Sequence, residues 1–325
     1  MTIACNLVFD HRDLRIINTS VSSFRSARLY QSRWPTNVVW LLTVEWSLQR
    51  DRGTIREITN MMSSSSPGQS VCILVNEPEE IAIASEMPGV EVEYVNHNAL
   101  ISPRVFSING AGKIYDAVVN ASALPLKRTH LCARIENLCC IRRLPAPEAS
   151  NLFDAATLQP RFVNHETLSK RKVAELLNQS YCGVILSECE GACFASTEYL
   201  LCGLPVVSTP SIGGRHVWYD ESTSIIVEPD EDAVRDAVAT LKRRCIEGAI
   251  TPGMIRENAL QTRDRFIRTA EAMIARYLER FGIDSVSAHD VMRSWLAEMD
   301  IASRQFKYLP SEDAARQNAM LPASK

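Results

Sequence analysis

The chain has 325 residues, more than the roughly 100–200 of a typical single domain, so its length predicts two domains with separate cores. Hydrophobic residues make up 46% and charged residues 22%, which is ordinary globular usage and excludes an extensively disordered chain. A formal net charge of -3 lacks the basic excess that nucleic-acid binding requires, so we expect no nucleic-acid partner.

The N-terminal third predicts an alternation of strands and helices. Apolar runs rich in β-branched residues alternate there with amphipathic segments, which is typical of βα units and a parallel sheet. The segment MSSSSPGQS predicts a surface loop at 62–70. The predicted strands are 2–8, 37–43, 70–75 and 90–95, and the predicted helices are 53–62 and 78–86.

Three features of the sequence bear on the cellular compartment. The segment 1–13 has no basic leader followed by an apolar block and a cleavage site, so secretion is not indicated. The apolar run 37–46 is too short to span a bilayer and contains Glu45. The ten cysteines are scattered and form no paired CxxC arrangement, which favours buried thiols in a reducing cytosol. We expect a cytoplasmic protein without a transmembrane segment, at most peripheral to the inner face of the membrane.

A second and more regular series of elements follows the turn-like segment INGAG. The domain boundary is therefore predicted near residue 111, and PAPEAS predicts a loop at 145–150. The predicted strands are 114–120, 138–143, 160–164, 182–187, 204–208 and 223–227, and the predicted helices are 127–136, 167–179, 196–202 and 230–244.

The C-terminal part predicts one long helix and a weakly ordered tail. Residues 251–281 carry apolar side chains at helical spacing with charges of both signs between them. This pattern favours an amphipathic helix that packs on the protein's own domains. The tail is expected to start at about Ser311.

The stretch SECEGACFASTEYLLCGLPVVST (187–209) carries the strongest chemical signal. Glu190 and Glu198 flank a loop of small residues, which a ligand can approach closely. Ser196 or Thr197 is suited to cap a short helix with Glu198 in its first turn, and Gly203 is suited to end it. The N–H groups that open such a helix favour a bound phosphate.

This pattern, continued by LLCGLPVVST and a later glycine pair, resembles the donor-site signature of the retaining GT-B glycosyltransferases of family four, also called group 1. The resemblance implies that Glu198 binds the ribose of a nucleotide-sugar and that Glu190 contacts the transferred sugar. A carboxylate is suited to the ribose because it accepts from two adjacent hydroxyls. The diphosphate is then expected on the loop and helix start formed by Gly191, Ala192, Ser196 and Thr197.

The resemblance also implies cations for the diphosphate. Lys127 falls on the family lysine, and we expect it to be catalytic together with Glu190. Ser122 occupies the position of the family arginine, so one cation is unaccounted for. Either Arg128 or Arg215 is suited to replace it.

Two further family positions lie in the loop SIGGRHVWYD. Gly213 and Gly214 resemble the family's glycine pair and are expected at the donor site, whereas Val217 stands where a glutamate is usual.

The nucleobase is expected against the strand end near Val163. His97 and Asn98 follow a predicted strand, and we assign them a weaker expected contact with the acceptor or the transferred sugar.

No cofactor or metal is expected beyond the nucleotide-diphosphate sugar, which acts as the donor substrate. No G-x-G-x-x-G follows a strand and no P-loop motif occurs. The acidic string PDED (229–232) opens a predicted helix, where we interpret its carboxylates as caps.

The resemblance thus implies an α/β GT-B fold with two Rossmann-like domains whose parallel sheets face a central cleft. The predicted division is a small acceptor domain at 1–111, a donor domain at 112–250, and bracing helices with a tail at 251–325. The implied enzyme moves a sugar to an acceptor hydroxyl, on a glycan or another molecule, with retention, in polysaccharide or glycan biosynthesis. A sugar-nucleotide epimerase or hydrolase on the same fold and a non-catalytic nucleotide-sugar-binding subunit are the alternatives.

Overall fold

A computed structural model describes residues 3–27, 37–62, 68–122, 124–143, 158–301 and 308–309. The chain divides into two compact units, of which one comprises Met1–His97 with Ile267–Lys325 and the other Asn98–Phe266. Each is built around its own parallel or mostly parallel sheet. The roles predicted for 1–111, 112–250 and 251–325 stay predictions.

The unit that contains the N-terminus is formed around a five-stranded sheet in the order β2-β3-β4-β5-β6. Trp40, Leu42 and Ile73 are fully buried in its core, because a sheet covered on both faces is built from continuous apolar runs. The strands are β1 (Ile3–Ala4), β2 (Asn6–Asp10), β3 (Leu14–Ser20), β4 (Asn37–Thr43), β5 (Gln69–Val75) and β6 (Val90–Tyr94), and the helices are α1 (Val21–Ala27), α2 (Arg52–Met62) and α3 (Glu79–Ser85).

This sheet departs from the prediction at its first edge. The chain turns back after Asp10, so that β2 pairs antiparallel with β3, and only β3 to β6 are parallel. Strand β3 and helix α1 were not predicted. The single strand predicted at 2–8 is replaced by β1 and β2, and β1 pairs with β13 (Tyr308–Leu309).

The second unit has a six-stranded, fully parallel sheet in the order β12-β11-β10-β7-β8-β9. Its core includes Val119, Cys182 and Val207, all at most 3% exposed. The strands are β7 (Tyr115–Ser122), β8 (Leu138–Arg143), β9 (Phe162–Val163), β10 (Ser180–Ile185), β11 (Val206–Ser208) and β12 (Ser224–Ile226), and the helices are α4 (Lys170–Asn178), α5 (Phe194–Leu201), α6 (Glu231–Ile246) and the first part of α7 (Pro252–Arg280).

The helix predicted at 127–136 is wrong. The segment forms two short 3-10 turns, Pro125–Lys127 and Thr129–Cys132, on either side of Arg128. Arg128 has φ 48°, a left-handed conformation that an α-helix cannot contain. The segment after β7 is therefore a compact loop, and it carries Lys127 at the carboxyl end of the sheet.

Two helix termini agree with their sequence signals, the start of α6 and the end of α5. Asp230 caps α6, because its side chain accepts hydrogen bonds from the N–H groups of Asp232 and Ala233, each at 3.0 Å. The capping interpretation of PDED is thus confirmed. Gly203 ends α5 at φ 74°, with Leu204 N–H bonded to Tyr199 O at 3.0 Å, as in a Schellman motif.

The long helix predicted at 251–281 is confirmed as α7, and the division between the units falls inside it, after Phe266. A further helix, α8 (Ala288–Ile301), was not predicted. The predicted loop at 145–150, residues 63–67 of the predicted loop at 62–70, and the predicted tail from Ser311 lie outside the described residues.

Candidate functional site

The loop between β10 and α5 holds Glu190 in a network of short hydrogen bonds. Lys127 Nζ lies 2.6 Å from Glu190 Oε1 and 2.7 Å from Oε2, so the ammonium faces both carboxylate oxygens. Ser187 Oγ lies 2.5 Å from Glu190 Oε1. Both side chains of the ion pair are largely buried, Lys127 at 16% and Glu190 at 9% exposure, so solvent screens it weakly.

Backbone hydrogen bonds join this loop to its two neighbours. Glu188 N–H donates to Leu126 O at 3.1 Å, which ties it to the turn that carries Lys127. Glu190 N–H donates to Ile212 O at 2.9 Å, and Ile212 N–H donates to Glu188 O at 3.1 Å. Lys127 and Glu190 therefore sit on loops whose backbones are fixed to each other.

The glycine pair lies directly against this loop. Gly214 N–H donates to Gly191 O at 2.9 Å, and Gly213 has φ 117°. A Cβ on Gly213 would lie 2.3 Å from Glu190 O, far inside contact distance. A side chain is therefore excluded at Gly213, both by its backbone conformation and by the approach of Glu190.

Arg215, which follows the glycine pair, is fully buried. Its Nη1 donates to Ser187 Oγ and its Nη2 to Thr209 O, each at 2.7 Å. The expected contact of Arg215 with a diphosphate is not what this position favours, because its guanidinium bonds within the protein and has no exposed surface. It lies one hydrogen bond away from Glu190, through Ser187.

Arg128 is the other candidate for the missing cation. Its Nη2 lies 3.2 Å from Glu188 Oε2, and its side chain is 21% exposed. Ser122 ends β7 and is half-buried. Arg128 thus keeps access to solvent near Lys127, which Arg215 does not.

Helix α5 begins two residues earlier than predicted. Its first residue is Phe194, and the N-cap is Cys193, in a left-handed conformation with φ 62° and no side-chain cap. Ser196 N–H donates to Cys193 O at 3.1 Å, so the amide predicted to open the helix is already bonded. Residues 193–195, which are half-buried, form the accessible first turn instead.

Ser196 and Thr197 lie inside the helix, completely buried. Ser196 Oγ lies 2.7 Å from the hydroxyl of Tyr219, whose pKa is raised by burial. Neither side chain is therefore the N-cap that the sequence predicted. Burial also raises the pKa of the Cys193 thiol to about 12, so this cysteine stays protonated at neutral pH.

Glu198 lies in the second turn of α5, one turn later than predicted, and is 2% exposed. Its Oε2 accepts a hydrogen bond from Asn120 Nδ2 at 3.3 Å, and Asn120 lies near the carboxyl end of β7. The next residue, Tyr199, accepts the N–H of Asn120 on its hydroxyl at 2.7 Å. Its ring lies against Gly183, where a Cβ would be 2.0 Å from the ring.

Asn98 supports the loop between the two glutamates. Its Nδ2 donates to Ala192 O at 2.6 Å and to Cys193 O at 3.3 Å, and the residue is fully buried. The structure therefore places Asn98 in the second unit as a backbone support for the loop. Gly191 and Ala192 are buried in the same loop.

His97 belongs to the first unit, where its N–H donates to Asn76 Oδ1 at 2.9 Å. Burial lowers the pKa of His97 to about 4, so the imidazole is neutral at physiological pH. Val163 lies in β9, the last strand of the second sheet, with Cys140 of β8 opposite. The structure does not bring Val163 into the hydrogen-bond network of Lys127 and Glu190.

Sequence reasoning missed three residues that bond the predicted site residues: Ser187 bonds Glu190, Asn120 bonds Glu198 and Tyr219 bonds Ser196. Asn120 carried a usable signal, because a polar residue at the end of a buried parallel strand marks the ligand-binding edge of an open α/β sheet. Tyr219 carried no such signal, since its partner Ser196 is distant in the sequence.

Within the described residues, no group of three or more acidic, cysteine or histidine side chains is arranged to hold a metal ion. No helix among them is both long and apolar enough to cross a membrane.

The fold is that of the GT-B glycosyltransferases, as comparison with solved structures shows. HepE from Anabaena, solved with UDP and glucose, aligns with a TM-score of 0.56 at 11% identity, over 89% of this chain and 78% of that one. Sucrose-phosphate synthase from Thermosynechococcus elongatus aligns with a TM-score of 0.55 at 16% identity, over 88% and 74%. TarM aligns with a TM-score of 0.53 at 12% identity, over 89% of this chain but only 56% of TarM. The predicted fold class is confirmed.

Part of the second unit matches a family model. Residues 140–244 match the family model described as "Glycosyl transferases group 1", and the chain carries a domain of that family. The resemblance read from the two glutamates is thus confirmed. No curated protein compared with the chain matches it.

Proposed function

We propose that this protein transfers a sugar from a nucleotide-diphosphate sugar to an acceptor hydroxyl, with retention at the anomeric carbon. The observation that carries the proposal is the convergence of Lys127, Glu190 and the first turn of α5 at the carboxyl ends of β7 and β10. This is the edge at which open parallel sheets bind ligands.

The site divides by charge into a ribose end and a phosphate end. Glu198 receives the hydroxyls of the ribose, with Asn120 holding its carboxylate in place. The diphosphate binds the amides of residues 193–195 at the start of α5, where the helix dipole favours an anion. Gly213 and Gly214 keep the neighbouring loop close enough for this approach, and Val163 lines the nucleobase end.

Lys127 supplies the principal cation for the departing diphosphate, and Glu190 contacts the transferred sugar. When the donor binds, a phosphate oxygen competes with Glu190 for the ammonium of Lys127, which faces both carboxylate oxygens in the ligand-free protein. Arg128, released from Glu188, is the second cation and replaces the arginine absent at Ser122.

The chemistry needs no protein nucleophile. The acceptor hydroxyl attacks the anomeric carbon from the side of the departing diphosphate, the glycosidic C–O bond to phosphate breaks, and a phosphate oxygen takes the acceptor's proton. The protein contributes electrostatic stabilisation of the leaving group, and loss of one such preorganised contact costs about 10²–10³ in rate.

UDP-sugars are the first donors to test, because HepE, a structural neighbour, was solved with UDP and glucose and with UDP-glucose. We place the reaction in the cytoplasm, in the synthesis of a polysaccharide or another glycan. The acceptor is a glycan or another hydroxyl compound, and we propose His97 as a weaker contact for it or for the transferred sugar.

The test is a thermal-shift screen against UDP-, GDP- and ADP-sugars, since a ligand that binds only the folded protein raises its unfolding temperature. The donor that binds is then assayed for transfer by the wild type and by Glu198→Gln and Lys127→Ala. We expect Glu198→Gln to weaken donor binding and Lys127→Ala to lower turnover about 10²-fold or more. Near-normal activity in both variants would contradict the proposed site.

A second candidate is a subunit that binds a nucleotide-sugar without turning it over. Ser122 favours it, because the position expected to carry a phosphate-binding arginine offers only a hydroxyl. Donor binding without transfer to a panel of acceptors and without hydrolysis would support this candidate.

A further inference from the structure

Arg215 is a buried cation without an acidic partner of its own. It is fully buried, and within the part of the chain that the structure describes it makes no ion pair. Its two contacts go to a hydroxyl, Ser187 Oγ, and to a carbonyl, Thr209 O, each at 2.7 Å. Its Nε is buried without a hydrogen-bond partner. A guanidinium is always charged, so its burial is costly unless negative charge lies nearby.

Ser187 connects Arg215 to a negatively charged residue, Glu190, by hydrogen bonds. A guanidinium has donors only, so Ser187 Oγ must accept from Arg215 Nη1. The single hydroxyl proton of Ser187 is then left to donate to Glu190 Oε1, 2.5 Å away. The direction of both hydrogen bonds is thereby fixed, and the chain of contacts reads Arg215 to Ser187 to Glu190, with Lys127 on the other side of the carboxylate.

The backbone reinforces this arrangement. Gly213, two residues before Arg215, packs directly against Glu190 O. Gly214, the preceding residue, donates its N–H to Gly191 O at 2.9 Å. These contacts hold the segment that carries Arg215 against the segment that carries Glu190. A shift of the guanidinium would therefore also move Ser187.

We propose that Arg215 is a positioning residue that acts through Ser187 to fix the orientation of the Glu190 carboxylate. This inference rests on the proposed function and deepens it, because Glu190 is the residue expected at the transferred sugar. With one oxygen held by Ser187 and both facing Lys127, the carboxylate has one orientation available. The transferred sugar therefore contacts a carboxylate that is already in place. Misplacement of such a group by about 1 Å is enough to lower the rate about 10²-fold.

The first part of the experiment needs no substrate. Ligand-free crystal structures are determined for the wild type, Ser187→Ala, Arg215→Met and, as a matched control, Arg256→Met. Arg256 also bonds backbone carbonyls in the same unit, those of Phe106, Leu201 and Pro103, but has no link to Glu190. We expect Glu190 to leave its wild-type position in Ser187→Ala and Arg215→Met and to keep it in Arg256→Met. Ser187→Ala removes a single oxygen atom. If Arg215→Met does not fold, the position of Glu190 in Ser187→Ala still tests the proposal.

The second part measures kcat and KM for the donor that the thermal-shift screen selects. We expect Ser187→Ala and Arg215→Met to lower kcat about 10- to 100-fold, with donor KM changed less than about threefold, since the positioned group acts on the sugar rather than on the nucleotide. In a Glu190→Gln background, neither substitution should lower kcat further. If Arg215 has only a structural role, Arg215→Met should lower kcat by the same factor in the Glu190→Gln background as in the wild type.

The outcomes separate this inference from the function on which it rests. An unmoved Glu190 in Ser187→Ala and Arg215→Met, or a kcat loss that persists in Glu190→Gln, overturns the positioning role. A displaced Glu190 in a protein whose wild type binds and turns over none of the nucleotide-sugars supports the positioning role and overturns the proposed function.

Discussion

The ion pair between Lys127 and Glu190 predicts that removing one of its two charges lowers the free energy of unfolding. Lys127→Met removes the ammonium and leaves the carboxylate, which is 9% exposed, with Ser187 as a remaining donor. Breaking a buried pair on one side costs about 3–5 kcal/mol, and the partial exposure of both side chains gives an expected loss of about 3 kcal/mol. For a unit of this size, that loss lowers the unfolding temperature by about 6–12 °C.

A second substitution turns this into a thermodynamic cycle. Glu190→Gln in the Lys127→Met background replaces the uncompensated charge by a neutral amide of the same shape. We expect it to restore about 2 kcal/mol, because the carboxylate that lost its ammonium partner is then replaced by an uncharged group. Activity should stay lost in the double variant, since both charges are proposed to act on the donor.

The assay is calorimetric unfolding of the four proteins in the cycle, with Lys172→Met as the control. Lys172 pairs with Glu175 at 2.9 Å, but its side chain is 47% exposed, so its loss should change stability by no more than about 0.5 kcal/mol. If Lys127→Met costs no more than this control, or if the two single losses simply add in the double variant, the buried ion pair described above does not exist.

Three further predictions concern other parts of the protein. Glu198→Gln should weaken binding of the donor nucleotide about tenfold, measured by titration calorimetry, because it removes charge from a hydrogen bond to the ribose. Gly213→Ala should lower the unfolding temperature far more than Gly248→Ala, since the new Cβ lies 2.3 Å from Glu190 O at the first position and meets nothing within 4 Å at the second, while φ is positive at both. Equal losses in the two alanine variants would refute the close approach. His97 has a folded pKa of about 4, below the unfolded value of about 6.5, so the unfolded state binds its proton first and stability falls by about 2 kcal/mol between pH 7.5 and pH 5. This part of the acid sensitivity should be missing from His97→Gln in denaturation measured at both pH values.

The strands that sequence reasoning located best are those with an uninterrupted apolar run. Strands β4 and β5 agree with the prediction to within one residue, because each contains an unbroken run of five apolar residues, 38–42 and 71–75. Strand β3 was missed because Asn18 interrupts its pattern. In the structure Asn18 is fully buried, and its carboxamide bonds Asn6 and Leu41 O. A polar residue satisfied by distant partners cannot be recognised from local periodicity.

The predicted helix at 127–136 failed for a related reason. The segment PLKRTHLCARIENL has a helical spacing of apolar residues, but Pro125 at its start and the left-handed Arg128 break it into two short 3-10 turns. The fold places these turns so that Leu126 O receives the N–H of Glu188. Tertiary pairing between two loops thus overrides the local propensity for a helix.

The assignment of a donor site stays a prediction, although the fold brings together two of the residues that the sequence selected, Lys127 and Glu190. The spacing of Glu190 and Glu198 and the position of Lys127 were sufficient to select them, although the contact between Lys127 and Glu190 was not predicted. The burial of Arg215 was not predictable, since it depends on Ser187 and Thr209, which meet it only in the folded unit. Exposure of a single arginine is a property of its tertiary surroundings, which a motif does not encode.

The close contact between Gly183 and Tyr199 makes the residue type allowed at each position depend on the other. The tyrosine ring occupies the volume that any larger residue at 183 would need, and its hydroxyl accepts the N–H of Asn120 in β7. A homologue that gains a side chain at 183 must therefore shrink the residue at 199, and it must find another acceptor for the Asn120 amide. We expect these two positions to change in concert across related proteins, and a library that diversifies only one of them to return mostly misfolded members.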